Sequence, residues 1–288
     1  MKYYEVRFSI SAPDILMQDA RDVTSALAGE AGFESFEETA EGITGYVQQT
    51  LFDQPLLEQF LTTFPLPDCV VTFSVTEADD RDWNEQWEQE GFQPIEIDHR
   101  CVIHDGRHLP QTSFPLSIEI DAHLAFGTGT HETTRMMVAS LLDLDLSGCR
   151  VLDCGTGTGI LAIAALKHGA DEAVGYDIDE WSVDNARHNA VINLVDQRFT
   201  SLLGDSSLLL DTITGGFHVV MANINRNILL ADLPRFRKKL IPEGKLLLSG
   251  FYTEDTDMLV EAARQNGLEL VGQRSEDNWA CLMLTVHQ

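Results

Sequence analysis

Asp153, Gly155, Gly157 and Gly159 stand where the apolar run Arg150-Val151-Leu152 meets a helix reading from Leu161 to His168. Glycine serves where backbone must come close to a ligand or take a positive φ, and the following helix start offers free N–H groups at the positive end of its dipole. Together these features describe a loop that holds a nucleotide-like cofactor. Three further polar residues close apolar runs downstream: Asp177 after Gly175-Tyr176, Asp205 just beyond the strand-like segment Arg198 to Leu203, and Asn223 at the end of Phe217 to Asn223. In an open parallel sheet such run ends fall on the carboxyl edge, where ligands sit.

The residue types narrow the cofactor. A dinucleotide fingerprint wants glycine at the sixth position of the turn, which is Ile160 here, and a P-loop wants a lysine after its last glycine, which neither glycine loop of the chain supplies. An acid before the glycines, no phosphate-binding cation, and Asp177 placed to accept both ribose hydroxyls suit S-adenosylmethionine, and the spacing resembles that of class I methyltransferases. In that class an acid at the position of Asp205 meets the adenine amine; an aspartate that caps its own loop is the alternative.

These residues need a scaffold, and the chain supplies two. Lys2 to Ile10 alternates like a strand, Pro13 to Ala28 has helical spacing, Phe33 to Glu38 and Ile43 to Gln48 are strands, Pro55 to Phe64 is helical and Cys69 to Val75 is β-branched. The order βαββαβ is that of a ferredoxin-like α+β unit over residues 1–77. Residues 78–94, with Trp83 and Trp87 four apart and Pro94 as a stop, read as a linker helix, and residues 95–288 form the cofactor-binding domain. That domain opens with short strand pieces, Ile95 to Ile103 and Leu116 to Ile120.

A second glycine loop follows, Ala125-Phe126-Gly127-Thr128-Gly129-Thr130-His131-Glu132-Thr133-Thr134, and opens a helix ending near Leu144. A zinc-protease helix would need a second histidine where Arg135 stands, so no metal is expected. Thr133 and Thr134 read as helix caps, and His131 as a hydrogen-bonding group that holds the loop.

The two glycine loops, Asp177 and Ala222-Asn223-Ile224 together resemble the ribosomal protein L11 methyltransferase family, as do Asp82-Trp83, Trp87 and Trp279, so the resemblance spans nearly the whole chain. It implies an α/β fold: a class I, Rossmann-like sheet of seven strands near Val151, Val174, Phe199, Val219, Leu247, Leu270 and Leu282, behind a small N-terminal domain that recognises the substrate. It implies S-adenosylmethionine held by Phe126, Thr134, Gly155, Gly157, Asp177 and Asn223, with Asn223 also orienting a substrate amine. The substrate it implies is a lysine or α-amino group of ribosomal protein L11. Glu132 stands where the family usually has proline, and Ala122-His123 where Pro-Gly usually precedes the loop. After Asn223 comes Ile224-Asn225-Arg226, without the Pro-Pro-aromatic run that stacks a flat base.

Composition sets outer bounds. The 288 residues, 44% of them hydrophobic, suffice for two cores. A formal charge of -27 opposes long contacts with phosphate backbones and suits a basic partner. Five scattered cysteines form no Cys-x-x-Cys pair and read as reduced packing residues. With no run of eighteen apolar residues and no signal-peptide core at the start, a soluble, cytoplasmic protein is expected; a monomer is expected as well.

Overall fold

The computed structural model describes residues 3–13, 16–39, 41–49, 51–67, 69–77, 91–121 and 129–286. The chain divides into two units, Met1–Glu85 and Gln86–Gln288.

The first unit contains β1 (Tyr3–Ser11), α1 (Met17–Glu30), β2 (Phe33–Thr39), β3 (Gly42–Gln48), α2 (Gln54–Thr62) and β4 (Val70–Glu77). Its antiparallel sheet has the order β2-β3-β1-β4. Side chains alternate across a strand, so Val6, Phe8 and Ile10 of β1 all enter one core, with Ala20 and Ala28 of α1 and Leu57 of α2. The first helix begins at Met17 rather than near Pro13, and the second begins at Gln54 because the Asp53 side chain accepts from Leu56 N at 3.1 Å.

The second unit opens with a small sheet of β5 (Ile95–Ile97), β6 (Cys101–His104) and β7 (Leu116–Glu119), then α3 (Glu132–Leu141). The stretch read as one strand from Ile95 to Ile103 is a hairpin, because Asp98 and His99 both take positive φ and turn the chain. The main sheet follows: β8 (Arg150–Cys154), α4 (Ile160–Lys167), β9 (Glu172–Asp177), α5 (Glu180–Ile192), β10 (Phe199–Leu203), α6 (Leu208–Asp211), β11 (Phe217–Asn223), α7 (Arg226–Lys239), β12 (Leu240–Tyr252), α8 (Thr256–Gln265), β13 (Leu268–Glu276) and β14 (Trp279–Val286). The strand order is β10-β9-β8-β11-β12-β14-β13, and β14 runs antiparallel to both of its neighbours. All seven strands expected from the sequence are present.

Both faces of this sheet are covered, which is why its central strands are continuous apolar runs. Val151, Val219, Met221 and Leu247 pack on one side with α3 and α4, while Leu152, Val220, Ala222 and Leu246 pack on the other with α7 and α8. The α4 helix is buried all around, from Ile160 to Leu166. Parallel pairing sets Ala222 opposite Cys154 and Asn223 opposite Ser249, so Asn223 ends its strand beside the turn that begins at Gly155.

Candidate active site

The β8–α4 turn is tied to the next strand. Gly155 N and Thr156 N donate to Tyr176 O at 2.9 and 3.0 Å. Asp153 lies beneath the turn, wholly buried; its Oδ2 accepts from Thr156 Oγ1 at 2.8 Å and Ala162 N at 3.3 Å, while Oδ1 has no hydrogen-bond partner in the protein. Burial pushes this carboxyl up to about 7, against the hydrogen bonds from Thr156 and Ala162, and the nearby charge of Asp177 adds to the rise.

Asp177 closes β9. Its Oδ2 accepts from Gly157 N at 2.9 Å and its Oδ1 from Asp179 N at 3.1 Å, so the carboxylate stands at the mouth of the glycine turn in a fixed orientation. Asp179 then caps α5 by accepting from Ser182 N at 3.0 Å.

Asn223 comes to the same edge from β11. Its Nδ2 lies 3.5 Å from Thr134 Oγ1 on α3, and its Oδ1 is buried without a partner. Ile224, the next residue, sits between two glycines. A Cβ on Gly155, whose φ is +72°, would lie 2.5 Å from Ile224 Cγ2, and a Cβ on Gly250, whose φ is +91°, would lie 2.4 Å from Ile224 O. Both glycines are therefore required for the Asn223 strand end to approach the cofactor turn.

The cap of α3 differs from the sequence expectation. His131 rather than a threonine caps it: His131 Nδ1 accepts from Thr133 N at 3.2 Å and lies 2.8 Å from Thr133 Oγ1. Thr133 and Thr134 are inside the helix and buried, which leaves Thr134 to face Asn223. His131 in turn packs edge-on against Trp279, with ring centroids 4.8 Å apart, and Tyr252 stacks on Trp279 at 4.2 Å. Phe126 lies outside the described residues, as do residues 78–90 of the expected linker helix; residues 91–94 form no regular element.

Asp205 follows β10 and is exposed; its Oδ1 accepts from Ser207 N at 2.8 Å. Hydrogen bonds from Ser207 hold its carboxyl below the usual carboxylate range, with a smaller contribution from Arg235. The loop-capping role and a place on the ligand edge thus coexist in one residue.

A cleft of about 500 Å³ joins Thr134, Gly155, Gly157, Asp177, Asp205 and Asn223, a size suited to a small-molecule cofactor. His131, Trp279, Ile178 and Asp232 also line it. Ile178 and Asp232 were not singled out in the sequence, and Trp279 entered there only as part of the family resemblance, not as a site residue. The cleft suits S-adenosylmethionine on two observations. Gly155, where a Cβ would meet Ile224 Cγ2, lines the cleft with bare backbone beside Gly157, and two buried oxygens, Asn223 Oδ1 within the cleft and Asp153 Oδ1 beneath it, have no partner in the protein.

Sheet order and site together define a class I S-adenosylmethionine-dependent methyltransferase. The family profile described as ribosomal protein L11 methyltransferase matches residues 9–287, and the chain belongs to that family. It is 45% identical over 282 residues to the ribosomal protein L11 methyltransferase of Phocaeicola vulgatus, covering 98% of both chains, and 44% identical over 287 residues to that of Bacteroides thetaiotaomicron, covering 99% of this chain and 100% of the relative. The crystal structure of ribosomal protein L11 methylase from Lactobacillus delbrueckii subsp. bulgaricus superposes with a TM-score of 0.62 at 28% identity, over 68% of this chain and all of that one. The protein is an enzyme, and S-adenosylmethionine is its cofactor.

Proposed function

We propose that this enzyme methylates amine nitrogens of ribosomal protein L11, at lysine side chains or the α-amino group, and that Asn223 orients the amine. The observation that carries the reading is Asn223 Oδ1, buried and unpartnered at the cleft beside Thr134. A buried acceptor without a partner costs roughly 1–3 kcal/mol, a cost removed when a substrate N–H donates to it.

Asp177 would receive the ribose hydroxyls, Asp205 the adenine amine, and Gly155 and Gly157 would bring backbone against the cofactor, with Phe126 and Thr134 completing its contacts. The cofactor supplies an electrophilic methyl on a cationic sulfonium. The protein's main task is then to hold a neutral amine in line with that methyl, and no covalent enzyme intermediate is needed. A lysine amine titrates near 10.4, so the neutral form at pH 7 costs about 4.6 kcal/mol. The apolar walls of the cleft, Ile160, Leu161, Ile224 and Trp279 among them, favour that neutral form by desolvation, so no dedicated base is required. A carboxamide oxygen orients an amine without enclosing its substituents, which permits repeated methylation of one nitrogen.

Residues 1–77 would recognise the protein substrate, residues 78–94 would link the two domains, and residues 95–288 would carry the chemistry. The charge of -27 supports a basic protein partner over nucleic acid. The protein acts as a monomer in this reading, and modification of a ribosomal protein supports a cytoplasmic location. Among the described residues no helix is long and apolar enough to cross a membrane. The test is transfer of labelled methyl to purified L11, with an unrelated basic protein as control: label on L11 alone supports the reading, and equal label on both or on neither contradicts it.

A further inference from the structure

Asp232, a residue of α7 that is only 7% exposed, lines the cleft. Its Oδ1 accepts from Ser206 Oγ at 2.7 Å and from the Arg235 guanidinium, and the same Arg235 nitrogen donates to Ser206 Oγ at 2.9 Å. The Ser206 hydroxyl therefore has its proton committed to Asp232 and a lone pair committed to Arg235. The apolar side of α7 is already formed by Leu229, Leu233 and Phe236, so the helix does not need a charge at this position to pack. Burying a carboxylate is costly unless it is paired and hydrogen-bonded. Here both conditions are met by a contact to the turn after β10.

That turn is where Asp205 and Ser206 enter the cleft side by side. With its hydroxyl proton engaged, Ser206 has only its backbone N–H left to donate to a ligand, and the carboxylate of Asp205 retains acceptor capacity beyond the bond from Ser207 N. An acceptor followed by a donor complements the 6-amino and N1 edge of adenine. Hypoxanthine, with a 6-oxo group and an N1–H, presents the reverse pattern. Within the turn, Ser207 N donates to Asp205 Oδ1 and Leu209 N to Ser206 O, whereas the Ser206 side chain is held from outside the turn by Asp232 and Arg235.

We propose that Asp232, supported by Arg235, is a positioning residue that makes the cofactor site selective for a 6-amino purine, by holding Ser206 so that its N–H and the Asp205 carboxylate meet the base as a fixed donor–acceptor pair. This rests on the reading of Asp205 as the adenine contact.

The test is calorimetric binding of S-adenosylhomocysteine and S-inosylhomocysteine, which needs no turnover, to the wild type, Asp232→Leu, Asp232→Asn and Ser206→Ala. The wild type is expected to favour the adenosyl compound strongly, since mismatched donors and acceptors in a cleft are rejected heavily. Asp232→Leu should reduce that preference by about tenfold or more, while Asp232→Asn, which keeps an acceptor for Ser206, stays within about threefold of wild type. If Asp232→Leu does not fold, Ser206→Ala removes the same contact and should show the same loss. An unchanged ratio, or equal weakening of both compounds, would overturn the proposal. A wild type that prefers the adenosyl compound and keeps that preference in Asp232→Leu and Ser206→Ala overturns the proposal alone; a wild type that binds both compounds equally overturns the adenine assignment of Asp205 with it.

Discussion

Asn223 Nδ2 and Thr134 Oγ1 are 3.5 Å apart although 89 residues separate them in the chain. The strand end of β11 and the first turn of α3 meet there, and the orientation leaves Asn223 Oδ1 buried and free to accept. Removing it by Asn223→Ala should lower kcat for L11 by roughly 10²- to 10³-fold, the scale seen when a single positioned polar group is lost from an active site. Steady-state transfer at saturating cofactor and substrate measures this. An unchanged kcat would remove Asn223 from the chemistry.

Asp177 makes a different kind of contribution. Its carboxylate orders the Gly157 turn at 2.9 Å and, in the proposed function, receives two ribose hydroxyls. Asp177→Ala should weaken S-adenosylhomocysteine binding by about 2–3 kcal/mol, measured by calorimetry, because hydrogen bonds to a charged group are worth about 1.5–3 kcal/mol each. An affinity within twofold of wild type would show that the ribose is held elsewhere.

Gly155→Ala should destabilise the fold by about 1–3 kcal/mol in denaturant titration, since its φ of +72° disfavours a side chain and the new Cβ would stand 2.5 Å from Ile224 Cγ2. The double variant with Ile224→Ala should recover part of the loss, the steric part, and leave the backbone part. Additive losses in the double variant would locate the strain in the backbone alone.

Asp153 gives stability a pH dependence of definite sign. Burial raises its carboxyl from 3.8 to about 7, so between those values the folded state keeps a proton that the unfolded chain releases. Stability of the cofactor-free protein from this group should therefore fall as pH rises from about 4 to about 7 and level off above. The melting temperature of Asp153→Asn relative to wild type should rise across that window, as measured by scanning calorimetry at a series of pH values. Parallel curves for the two proteins would show that Asp153 does not titrate there.

Much of this site was legible in residue order. The glycine turn, Asp177 and Asn223 could be placed because strands buried on both faces are continuous apolar runs, and a polar residue closing one marks the sheet edge. The cap of α3 was not legible, because His131, Thr133 and Thr134 are all able to cap and only the tertiary fit decides among them. Trp279 reaches the cleft because β14 inserts between β12 and β13, a strand exchange that no local pattern encodes. Asp232 is similar: its partner Ser206 lies 26 residues earlier, across the turn after β10. The hairpin at Asp98 and His99 was hidden because neither of the two positive φ angles falls on glycine.

The most direct measurement is to incubate the enzyme with isotopically labelled S-adenosylmethionine and free L11 and to map the added methyls by tandem mass spectrometry. Methyls are expected on lysine Nζ or the α-amino nitrogen, with more than one methyl on a single nitrogen. Methyls confined to carboxylate, amide or guanidinium groups, or an L11 that acquires none while the enzyme binds its cofactor, would contradict the proposed function.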